Sequence, residues 1–133
     1  MTMKDLDESK CTIEQIFKNQ SASDTVERFV HAFHKDLAQQ LNQRKLNWLS
    51  RTHASGITYL CNEKKAFIFL NVRMKFLSLI FFTGNSSING LSKANWLNKG
   101  DNLGSKNHKI VDGLSFNQAQ VFAMKAYEIA AEW

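Results

Sequence analysis

The chain has 133 residues, 44% of them hydrophobic and 22% charged, with two cysteines and no proline. A chain of that length and composition makes one domain with a real core, which excludes a wholly disordered protein or a proline-rich linker. The net charge of +5 is unevenly spread: residues 44–109 carry eleven Lys/Arg against two acids, while the segments on either side each sum to −2. A basic centre between mildly acidic ends points to an anionic partner.

The strongest apolar run, Phe76–Phe82, is seven residues long, whereas a membrane span needs about 20. With no secretory signal at the start, the expected location is cytoplasmic and away from membranes. Cys11 and Cys61 form no CxxC pair and read as two free thiols.

Residues 1–10 are polar, without apolar period, and are expected to be a disordered tail ahead of a single domain over 11–133. The first helix is expected from Thr12 to Asn19. Thr12 and Gln15 form a capping box, with Cys11 and Ile16 at the staple positions. A second helix over Asp24–Gln43 buries Val26, Phe29, Val30, Phe33, Leu37 and Leu41, which fall three and four apart. Asp24 with Glu27 reads as its start. Glu27, Arg28, His31, His34 and Lys35 fall on its solvated face.

Strands follow at Leu46–Arg51, Ile57–Asn62, Ala66–Val72 and Lys75–Phe82, joined by short turns that make them an antiparallel meander. In the third strand Phe67 and Phe69 point one way, and Ile68, Leu70 and Val72 the other. Both faces are therefore apolar, and the second needs a cover: a loop, a helix, a ligand or a second subunit. Gly84–Asn107 is a long Gly/Asn/Ser-rich loop, a length that is often functional. His108–Asp112 is a candidate fifth strand. Ser115 with Gln118 then starts a buried last helix, Phe116–Ala131. The fold class expected is α+β: two N-terminal helices, a four- to five-stranded antiparallel meander sheet, a long loop and a buried C-terminal helix.

Four constellations could carry chemistry. Glu27, His31 and His34 have metal-ligand spacing on one helix, but the face is solvated and no further ligand joins them, so neither metal nor cofactor is expected. Cys61 and His53 flank one hairpin without an orienting third group. Lys99–Lys106 lacks P-loop spacing and leads into a strand, so it reads as turn chemistry. Its sharper reading is an anion and aromatic site made of Trp96, Lys99, Lys106 and His108. Lastly, Arg51, Lys64, Lys65, Arg73 and Lys75 lie among strand aromatics, a pattern able to hold phosphates and stack bases.

The segments Thr12-Ile13-Glu14-Gln15-Ile16-Phe17, Ala66-Phe67-Ile68-Phe69-Leu70 and Lys125-Ala126-Tyr127-Glu128 give the chain a family likeness. Over roughly residues 12–131 it resembles a bacterial family of small domains of unknown function labelled predicted transport proteins. These are distantly similar to α+β domains described as frataxin-like iron chaperones. The resemblance implies the fold, and no catalytic residues.

The function expected is a non-enzymatic binding module. It would use the basic surface for an anionic ligand, or the second sheet face to form a homodimer. The alternatives are a nucleic-acid-binding protein and a small enzyme acting on an anionic substrate. The enzyme needs His108 beside a carboxylate such as Asp101 or Asp112.

Overall fold

The computed structural model describes residues 5–62, 65–84, 86–93 and 105–132. Helix α1 spans Ile13–Gln20 and opens on the expected capping box: Gln15 N–H donates to Thr12 Oγ1 (3.2 Å) and Thr12 N–H to Gln15 Oε1 (2.8 Å). It stops at Ser21, whose φ of 52° is left-handed. Helix α2 spans Asp24–Gln43, capped by Ser23, one residue before the expected start. The last helix, α3, spans Gly113–Ala131. It begins earlier than Ser115 predicted because Asp112 is the cap and Ser115 sits at its third position. Ser115 N–H donates to Asp112 Oδ1 at 2.8 Å.

The strands are β1 (Trp48–His53), β2 (Gly56–Cys61), β3 (Lys65–Val72), β4 (Leu77–Phe82), β5 (Ser92–Lys93) and β6 (Ser105–Ile110). They form one antiparallel sheet in the order β1-β2-β3-β4-β6-β5. The α+β class and the meander are as the sequence predicts, with β6 in the place of the candidate fifth strand and β5 a two-residue addition outside it.

Asp5–Lys10, read in the sequence as part of a fraying tail, runs beside β1. Asp7 N–H donates to the Ser50 carbonyl (2.9 Å), and Thr52 N–H donates to the Asp7 carbonyl (3.0 Å). This occupies the β1 edge, which would otherwise present unpaired backbone groups.

All three helices pack on one face of the sheet. Cross-strand register puts Ile57, Tyr59, Leu70, Val72, Leu79 and Phe81 on that face, and each is buried in the core. One side assignment from the alternation is corrected. Tyr59 pairs with Ile68 but Leu60 pairs with Ala66, so Phe67 is the extra residue of a β-bulge. The bulge turns Phe67 to the helix side, where its ring meets Tyr127 edge-on at 5.2 Å. Phe69 stays on the other face.

His34 is a second correction. It is 3% exposed, on the buried side of α2 beside Phe33 rather than on the solvated face. The burial is compensated by a hydrogen bond between His34 Nδ1 and the Tyr59 hydroxyl at 2.8 Å, since a buried polar group is costly without one. Trp48 stacks on Tyr59 at 6.4 Å, and its Nε1–H donates to Asn42 Oδ1 at 2.9 Å. Removing one partner of this buried bond, as in Tyr59→Phe, is expected to cost about 1–2 kcal/mol. Guanidinium denaturation checks it; an unchanged midpoint would mean the bond contributes nothing.

The segment after β4 folds back on the helix side. Ile88 is 6% exposed and belongs to the main core. The rest of the long loop, residues 94–104, lies outside the described residues.

Candidate functional site

The face of the sheet away from the helices is organised in rows. The central row runs Arg51, Thr58, Phe69, Ile80 and Asn107 across five strands. The row nearer the β1–β2 and β3–β4 turns runs His53, Gly56, Asn71, Ser78 and Lys109. On the other side lie Leu49, Leu60, Ala66 and Phe82. Ile80 is buried, while Leu60, Phe69 and Phe82 are half-buried. Among the described residues no helix covers this face.

Charge separates by layer. The six strands hold five Lys/Arg (Arg51, Lys65, Lys93, Lys106, Lys109) and no Asp or Glu at all. The helices carry Glu14, Asp24, Glu27, Asp36 and Glu128 beside Lys18, Arg28, Lys35 and Lys125. The basic centre of the sequence is therefore the sheet layer.

The cations are held at the margins of the free face. Arg51 at the β1 edge lies 3.9 Å from Asp7 Oδ2, both side chains about half exposed. Such a solvated pair is worth little and can be exchanged for another anion. Arg73, in the β3–β4 turn, reaches back to the face. With the Asn71 amide oxygen turned to it, its Nη2 donates at 2.9 Å, and the Asn71 nitrogen donates to the Ser55 carbonyl at 3.3 Å. Lys109 extends along Phe76, its ammonium 4.7 Å from the ring centre. His53 pairs its Nε2 with the Thr58 hydroxyl at 2.6 Å and sets its ring edge-on to Phe69 at 6.1 Å. Burial first, then the charges of Lys10 and Arg51, hold the His53 imidazole below its ordinary titration range. The β1 end of the face is thus a positive field with an unfilled demand for negative charge.

Of the residues singled out from sequence, Arg51 and Arg73 meet on this face, and Lys75 is exposed in the adjoining turn. Lys65 does not join them: it pairs with Cys61, on the helix side. Lys64, Trp96 and Lys99 lie outside the described residues. Lys106 pairs with Phe81 in the sheet. His108 lies on the helix side opposite Leu79, where its Nε2–H donates to the Ser115 carbonyl (2.9 Å) and its ring packs on Phe122. It ties β6 to α3 and is not presented to a ligand. Sequence reasoning missed Asn71, Asn107 and Lys109, and set His53 beside Cys61 instead of on this face. The signal for them is pairing register, which the sequence does not print.

The other constellations dissolve. Cys61 is 1% exposed on the helix side, and His53 is on the opposite face, so they cannot meet. His34 is buried on Tyr59, while His31 packs edge-on to Phe17. Among the described residues no group of three His, Cys, Asp or Glu side chains could hold a metal ion. No helix there is long and apolar enough to cross a membrane. Comparison with family models, curated proteins and solved structures finds no match to this chain.

Proposed function

We propose that this domain is a non-enzymatic binding module that takes an extended anionic partner on its helix-free sheet face. The observation that carries the reading is the charge of this face: of the strand cations, pairing register sets Arg51 and Lys109 on it, Arg73 reaches it from the β3–β4 turn, and no strand holds a carboxylate. A single-stranded nucleic acid is the partner best matched. Phe69 and Phe82 are diagonal cross-strand neighbours, about 7–8 Å apart, a spacing that two splayed bases can follow. Between the rings and the cations the face is neutral and polar: Ser78 donates to Asn107 Oδ1 at 3.1 Å, Thr58 pairs with His53, and Asn71 with Arg73.

Three other readings are less well supported. A homodimer through this face would bring two copies of the same basic surface together, an unfavourable charge match. An enzyme built on His108 and Asp112 is less well supported because Ser115 holds one ring nitrogen of the first and one carboxylate oxygen of the second in structural roles at the start of α3. An iron-handling role, the description given to the distantly similar domains, would call for surface carboxylates, and the strands hold none.

Fluorescence anisotropy with single- and double-stranded oligonucleotides tests the reading. Three phosphate contacts on a single strand give a salt slope of about −2, so affinity should fall roughly 20-fold between 50 and 200 mM salt. Arg51→Glu with Lys109→Glu should abolish binding. No binding at low salt removes the nucleic-acid reading.

A further inference from the structure

An open cleft of about 450 Å³ lies beside the free face, lined by Lys10, Cys11, Gln15, Asn19, His53 and Ala54. Its walls are the segment before α1, one side of α1 and the β1–β2 turn. Gln15 and Asn19 are one helical turn apart and share a side of α1.

Donors are well represented in these walls. Gln15 Oε1 is already taken by Thr12 N–H at 2.8 Å, which leaves its amide nitrogen as the free group. His53 Nε2 is taken by the Thr58 hydroxyl at 2.6 Å, which leaves Nδ1. Lys10 supplies an ammonium and Asn19 a second primary amide. Among the described residues no carboxylate lines the cleft. The acids of the same segment are engaged: Asp7 by Ser9 N–H at 2.9 Å and by Arg51, Glu8 by Ile13 N–H at 2.8 Å. A cleft rich in donors, under the combined field of Lys10 and Arg51, matches a group with several acceptor oxygens and negative charge. Its volume falls within the range of small-molecule sites, with room beyond a bare phosphate for an organic body.

We infer that this cleft is a binding site for a small phosphate monoester, its phosphate held by Lys10, Gln15, Asn19 and His53 and its organic body lying against Ala54 and Cys11. This site is separate from the sheet-face reading and survives its failure.

The full chain carries two reporters. The first is His53, whose depressed titration follows burial and then Lys10 and Arg51; a dianion among those groups should raise its pKa by about one pH unit. The second is Cys11, the partly exposed thiol, because Cys61 is buried. His53 is titrated by NMR in chloride, in inorganic phosphate and in a nucleoside 5′-monophosphate at matched ionic strength, and iodoacetamide labelling of Cys11 is timed in the same buffers. The expected result is a raised His53 pKa and slowed labelling with both phosphates, at lower concentration with the monophosphate, and both effects lost in Lys10→Gln. An unchanged His53 titration and labelling rate overturns the site. Equal concentration dependence for phosphate and monophosphate overturns the assignment to an organic ester. Effects that persist in Lys10→Gln overturn the assigned contacts.

Discussion

Gly56→Ala is expected to cost about 3 kcal/mol or more, the upper range for forcing atoms into a packed sheet. A Cβ at position 56 would stand 1.8 Å from the Leu70 carbonyl oxygen and 3.2 Å from the Asn71 Cα. Both atoms are backbone, and Leu70 belongs to a central strand bonded on both sides. Neither can yield without breaking the ladder. The displacement would also move His53, which pairs with Gly56 across the tight β1–β2 turn. For a domain of this size the loss corresponds to a fall in Tm of about 10 °C. Gly113→Ala is the matched control: nothing lies within 4 Å of its added Cβ, and it opens α3. That change should be neutral or stabilising by up to ~1 kcal/mol. Thermal melts of the two variants decide it; a Gly56→Ala melt within a degree of the parent would refute the close approach.

The second large effect is alkaline. Tyr59 is fully buried, and burial holds its phenol far above the ordinary range. Burial, then the Cys61 thiol, pushes Tyr127 up to about 12, opposed by the hydrogen bond its hydroxyl donates to the Asn47 carbonyl. In the unfolded chain both ionise near pH 10. Above that pH the unfolded state binds fewer protons than the native state, so stability falls as pH rises. Tyr59 alone should remove about 2 kcal/mol between pH 9 and pH 11.5, and Tyr127 acts in the same direction. The chain has two tyrosines, so absorbance of tyrosinate reads them directly. The native protein should show little tyrosinate at pH 11, and the guanidinium-unfolded protein nearly all of it. Tyr59→Phe should flatten the alkaline loss of stability. Tyrosinate appearing near pH 10 in the native state would show that neither phenol is shielded.

Most of the architecture could be read in advance because its signals are local. The Thr12–Gln15 capping box, the apolar stripe of α2 and the short links between β1, β2, β3 and β4 each depend on residues a few positions apart. The readings that needed correction depend on partners far away in sequence. His34, four residues after Val30 and three before Leu37, falls at the edge of the apolar stripe, and it is buried there with its ring on the hydroxyl of Tyr59, 25 residues on. Phe67 alternates with Ile68 in any strict period-two reading; the bulge opposite Tyr59 and Leu60 puts it on the helix side with Tyr127. His108 looked available until α3 presented the Ser115 carbonyl to it.

The candidate surface divides along the same line. That residues 44–109 hold an excess of base is a matter of counting, whereas the absence of acids from the strands needed the structure, which ends β6 at Ile110 and makes Asp112 the cap of α3. The excess follows from the sequence by itself, together with the α+β class, because composition and short-range period need no partner. Only the tertiary structure decided that Arg51, Arg73 and Lys109 share a helix-free face with Phe69, that Lys65 turns away from it, and that Lys10 and His53 wall one cleft. The physical reason is that side-chain direction in a sheet is set by pairing register and bulges, and a one-residue slip sends every side chain to the opposite face.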